Sequence, residues 1–185
     1  MGEDKGAIRW HGQEQRYFMA DLLMPFSNEV FISCRSEQEA DMDGGYQTLV
    51  DAYKGMGPVG GILTAFEHRP GSAWLVTACD LPLLDLRTLQ YLIDHRDPSS
   101  VATTYQSPHD GMPEPLITIW EPAARPLLLE FLDRGITCPR KVLLNSRTHI
   151  IKAPYPEALL NANTPADAQQ VRDILQQRSP VPHAS

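Results

Sequence analysis

Residues 73 to 79 read Ala-Trp-Leu-Val-Thr-Ala-Cys, an almost unbroken apolar run that stops at Asp80-Leu81-Pro82. The run has strand length, and its lack of polar alternation describes a strand covered on both faces. Such strands need helices above and below them, so this one segment narrows the fold to a layered α/β class.

The flanking sequence agrees. Residues 14 to 26 place Phe18, Leu22 and Leu23 on one helical face and end near Pro25. Short extended pieces follow at 29–34 and 47–51, separated by a polar loop with a Gly44-Gly45 turn. The stretch Gly55-Met-Gly-Pro-Val-Gly-Gly61 is a glycine-rich turn opening an apolar-faced helix. Asp85 to His95 reads as a helix with Asp85 as N-cap. Strands are expected at 101–105, 115–120 and 149–153, and helices at 122–134 and 139–144, with Gly135 ending the former. Thr164 and Pro165 suit the cap and first position of a last helix. Alternating strands and helices predict a three-layer α/β/α fold around a mostly parallel mixed sheet. Ligands of such sheets gather at the carboxyl ends of strands.

A chain of 185 residues fits one domain, expected over 1–177 with a disordered tail at 178–185. The net charge of −7 argues against nucleic-acid binding, which needs a basic footprint. It leaves room for a nucleotide, because a divalent cation and a few local donors offset phosphate charge. No apolar run approaches the roughly 18 residues of a membrane span, and the first residues lack the apolar stretch of a secretory signal. Cys34, Cys79 and Cys138 are too far apart for a CxxC zinc site or a disulfide framework, so a reducing cytoplasm is expected.

Several residues could carry chemistry. Lys5, flanked by Asp4 and Gly6, is either a point charge for phosphate oxygens or a solvated surface lysine. Asp80, at the end of the buried run, can hold magnesium, which takes one or two carboxylates plus substrate phosphates, or can cap its own turn. Asp51 offers the same choice. Gly57, Pro58 and Gly60 either let a nucleotide approach the backbone or make a tight strand-to-helix connection. Asn161 and Asn163 bind ligand, support a metal, or cap the last helix. No GxxxxGK[ST], GxSxG or HExxH pattern is present.

Taken in order, the segments DKG, the aspartate followed by GPVGG, the apolar run ending in ACDLP, EPLITIW before a helix, PRKVL and LLNANTP resemble the MobA-like molybdenum cofactor guanylyltransferases. The resemblance runs to about residue 177 and implies the Rossmann-like nucleotidyltransferase fold. It also implies transfer of GMP from GTP to molybdenum-molybdopterin with release of pyrophosphate and with Mg2+ as cofactor. Partners among molybdenum-insertion and molybdoenzyme-maturation proteins are implied in turn. Carried over residue by residue, it gives Lys5 to the nucleotide phosphates, Asp51 and the Gly57–Pro58–Gly60 turn to the nucleotide site, and Asp80 to magnesium and the triphosphate. Asn161 and Asn163 match an NxN pair near the active site, supporting molybdopterin or the metal. GPVGG favours guanylyl over cytidylyl transfer. Cytidylyl transfer, sugar-phosphate nucleotidyl transfer and a non-catalytic binding module remain the alternatives.

The family signature LAGGxSxRMGxDK begins with a strand and loop, of which this chain has only the last part; Met1 falls on the signature methionine. The expectation is a reading frame that starts further upstream or a shortened chain, whose activity is open. Without a central strand, the chain is expected to be weakly folded alone or to fill the gap with another segment or chain.

Overall fold

The computed structural model describes residues 4–178. The element order is α1 (Gln15–Leu23), β1 (Phe31–Cys34), β2 (Gln47–Val50), α2 (Pro58–His68), β3 (Trp74–Thr77), α3 (Leu86–Asp94), β4 (Ala102–Gln106), β5 (Pro113–Trp120), α4 (Ala124–Asp133), α5 (Pro139–Leu144), β6 (Thr148–Lys152) and α6 (Pro165–Arg178). Local chemistry sets the ends. Asp85 caps α3 by accepting the Thr88 N–H at 2.9 Å. Gly135, at φ +72°, follows α4 in the left-handed conformation that glycine adopts without penalty. Arg178 closes α6 rather than belonging to a tail, and residues 179–185 of the expected tail, like Met1, lie outside the described residues.

Strands β3, β5, β4 and β6 form one sheet in that order. Here β5 runs against both neighbours, while β4 and β6 are parallel. Strands β1 and β2 form a parallel pair of their own. Alternation along the strands feeds two helical layers. Trp74, Val76 and Trp120 pack with Phe66 of α2 and Leu128 of α4 on one face. Leu75, Ile117 and Ile119 pack with Met19 of α1 and with Leu89 and Leu92 of α3 on the other. The expected three layers are present.

Between β1 and β3 the sheet is interrupted. The start of each strand lines a groove of about 440 Å³ with Phe31, Trp74, Leu75, Leu23 and Phe26 on its walls. The far ends, Ile32–Ser33 and Ala78–Asp80, line a smaller cavity of about 230 Å³. Starts face starts and ends face ends, so β1 and β3 point the same way with a channel between them. Among the described residues, neither facing edge is hydrogen-bonded to another strand. The central strand expected from the resemblance is absent from this place among the described residues. Phe31 and Trp74 reach across with ring centroids 6.0 Å apart. The buried Trp74 indole N–H has no partner. This explains one departure from expectation: the apolar run predicts a strand covered on both faces, yet every residue of β3 is only half-buried.

Candidate active site at the carboxyl ends of the strands

Lys5 sits on a single turn of 3-10 helix, Lys5–Ala7, capped by Asp4, whose carboxylate accepts the Gly6 N–H at 2.9 Å. The lysine ammonium lies 3.5 Å from Asp80 Oδ2 and also donates to Asn163 Oδ1. These partners are 75 and 158 positions away in sequence. Asp80 follows β3, at the carboxyl edge of the sheet, where the fold rule places ligands. The connection before α6 is pinned to it: buried Ala162 donates its N–H to the Asp80 carbonyl at 2.9 Å. In an extended segment, alternate side chains share a side. Asn161 and Asn163 are therefore brought to Asp80 and Lys5 together. With its amide nitrogen toward the carboxylate, Asn161 donates to both Asp80 oxygens at 3.2 and 3.3 Å.

Four of the sequence candidates thus meet at one point. Asp51, Gly57, Pro58 and Gly60 form a second group at the start of α2. Asp51 accepts the Ser33 hydroxyl at 2.7 Å, and Ser33 lines the small cavity beside Lys5 and Asp80, so the two groups are neighbours through one serine. The glycines have structural duties of their own. Gly57 has φ +57° and ψ −147°, a conformation closed to side chains, and leads into Pro58 at the head of α2. A Cβ on Gly60 would meet the Tyr53 carbonyl oxygen at 2.6 Å, so close helix packing demands glycine there. Tight connection between the strand and α2 gives Gly60 a structural duty.

Asp4, Arg16, Ser33 and Gln38 also line the cavity, and the sequence reading did not single them out. Arg16 donates to Asp4 Oδ2 at 2.9 Å, and Gln38 donates to the same oxygen at 3.2 Å. The adjacency of Asp4 to Lys5 was a usable signal. Arg16 offered none, since only the fold turns the start of α1 toward this end of the sheet. Burial pushes the Cys79 thiol up to about 11, which keeps it protonated at neutral pH.

Among the described residues no group of three or more histidine, cysteine or acidic side chains gathers as a metal cage. The Asp80 carboxylate, with the Asn161 amide beside it, fits a magnesium ion that arrives with phosphates, because that ion keeps waters and needs only one or two protein carboxylates.

The profile of the MobA-like NTP transferase domain matches residues 1–150. The chain belongs to that family. A bifunctional molybdenum cofactor biosynthesis protein of Synechocystis is 34% identical over 172 residues, covering 92% of this chain and 50% of that protein. The chain therefore spans half the length of that relative. A molybdenum cofactor guanylyltransferase of Shewanella loihica is 28% identical over 180 residues, covering 94% of this chain and 89% of that one. The crystal structure of molybdopterin-guanine dinucleotide biosynthesis protein A from Archaeoglobus fulgidus shares the fold, with a TM-score of 0.79 at 21% identity, over 95% of this chain and 92% of that one. In this MobA-like chain, the Lys5–Asp80 end of the sheet sets a cation and a carboxylate side by side. Among the described residues, no helix is long and apolar enough to cross a membrane.

Proposed function

We propose that this chain transfers GMP from GTP to the terminal phosphate of molybdopterin, releasing pyrophosphate. A phosphate oxygen of molybdopterin attacks the α-phosphorus, a new phosphoanhydride bond forms, and the bond to the bridging oxygen of the β-phosphate breaks. No covalent enzyme intermediate is needed, so the work is positioning and charge neutralisation. The observation that carries the reading is the meeting of Lys5, Asp80, Asn161 and Asn163 from opposite ends of the chain.

Lys5 steadies the negative charge of the β- and γ-phosphates. Asn161 and Asn163 orient Asp80 and Lys5, and present amide groups toward the acceptor. Asp80 holds magnesium, which when bound supplies Lewis-acid neutralisation of phosphate oxygens. The guanine is assigned to the Asp51 and Gly57–Gly60 side, because the GPVGG form resembles that of guanylyl-transferring enzymes. On this reading the protein is a cytoplasmic enzyme that works with molybdenum-inserting and molybdoenzyme-maturing proteins.

The test is pyrophosphate release from a panel of nucleoside triphosphates with molybdopterin and Mg2+. GTP is expected to be preferred, and Asp80→Asn to lower turnover by about two orders of magnitude or more with the thermal midpoint preserved. Wild-type rates in Asp80→Asn would remove the metal role. Absence of release with every nucleotide would replace the enzyme by a binding module.

A further inference from the structure

Arg16 is the second residue of α1, yet its side chain folds inward and is only 11% exposed. One terminal nitrogen donates to Asp4 Oδ2 at 2.9 Å, and Nε lies 3.1 Å from Glu14 Oε2. The other terminal nitrogen, NH1, faces the thioether of Met42 at 3.5 Å. A guanidinium carries five N–H donors, and a thioether is a weak acceptor. One terminal nitrogen is therefore held by a carboxylate, while the other has a partner that an anion can replace at little cost.

Both ends of this arrangement lie on the small cavity. Arg16, Met42, Lys5 and Asp80 all line it, as does Ser33 from β1. Its charged lining is two cations, Lys5 and Arg16, against two carboxylates, Asp4 and Asp80. A triphosphate with a single magnesium ion still carries net negative charge, and one lysine beside two carboxylates does not offset it.

We propose that Arg16 is a second phosphate-contacting cation of this site: Asp4 keeps one terminal nitrogen, and NH1 exchanges the Met42 sulfur for a non-bridging phosphate oxygen. The inference rests on the reading of Lys5 and Asp80 as the triphosphate site. Gly6 gives the arrangement its room, because a Cβ there would sit 3.2 Å from Asp4 Oδ1 and 3.3 Å from Arg16 Nε. Through Asp4, which caps the Lys5 turn, the two cations hold a common position. The guanidinium's fork suits phosphate better than a second lysine would.

Calorimetric titration of the full chain with Mg·GTP tests this. Arg16→Met keeps an apolar stem and is expected to weaken binding about tenfold or more, with Arg16→Lys between it and wild type. In wild-type protein, the Arg16 side-chain nitrogen resonance is expected to shift with magnesium tripolyphosphate but not with guanosine, a readout that survives any failure of the variant to fold. An Arg16 resonance unmoved by tripolyphosphate, with Lys5→Ala still impaired in Mg·GTP binding, overturns the role of Arg16 and leaves the triphosphate site standing. If Lys5→Ala binds Mg·GTP as wild type does, the site itself is misread and the role of Arg16 falls with it.

Discussion

At the scale of single residues, packing and titration give sharp expectations. Gly60 is held against the Tyr53 carbonyl, 2.6 Å from where a Cβ would be, whereas a Cβ on Gly71 would enter open space. Gly60→Ala is expected to destabilise by about 1–3 kcal/mol through overpacking. Gly71→Ala is expected to stay within about 0.5 kcal/mol of wild type. Urea midpoints of the two variants compare them directly, and equal midpoints would contradict the packing argument. The Asp97 carboxyl is held down to about 2, first by the Ser100 hydroxyl and then by the Ser99 hydroxyl and N–H. An unfolded aspartate titrates near pH ~3.9, so this depressed folded-state value stabilises the protein above that pH. The contribution is lost as pH falls from there toward about 2. Ser100→Ala is expected to flatten the pH dependence of the urea midpoint across that acid window. An unaltered slope would count against the assignment.

At the scale of elements, the caps read from sequence are the ones that form, because they depend on neighbours only three residues apart. Thr164 Oγ1 accepts the Asp167 N–H at 3.2 Å, while the Asp167 carboxylate accepts the Thr164 N–H at 2.8 Å. That reciprocal box starts α6, and the backbone N–H of Thr164 holds the Asp167 carboxyl below its ordinary range. Thr164→Ala is expected to cost about 1 kcal/mol. Because the cap adjoins Asn163, it should also loosen the Lys5 contact. Thermal midpoint and nucleotide affinity measured on this one variant check both effects, and a change in neither would refute the coupling. Helix and strand positions were similarly legible, with ends shifted by one to three residues. The run at 14–26 stops as an α-helix at Leu23, and the apolar run at 73–79 keeps only Trp74–Thr77 as strand.

At the scale of the whole molecule, the interrupted sheet dominates. The channel between β1 and β3 leaves two strand edges unpaired among the described residues, with Trp74 half-buried on its wall. A strand filling it would add about three or four apolar side chains at roughly 1.5–3 kcal/mol each. That sum rivals the roughly 5–15 kcal/mol that usually separates folded from unfolded domains. The chain is expected to unfold at low urea, with tryptophan fluorescence changing before the far-ultraviolet circular dichroism signal. Coincident transitions at full domain stability would show that the channel costs little.

The sequence by itself determined the layers, the caps and the family, since periodicity, turn chemistry and ordered motifs are local properties that survive in one dimension. It also named Lys5, Asp80, Asn161 and Asn163, though their meeting depends on the Ala162 N–H bonding to the Asp80 carbonyl. Only the tertiary structure decided that Gly60 answers to packing, that Asp51 reaches the site through Ser33, and that Arg16 turns toward Lys5. Each of these depends on distances between segments far apart in the chain, and no local pattern encodes such a distance.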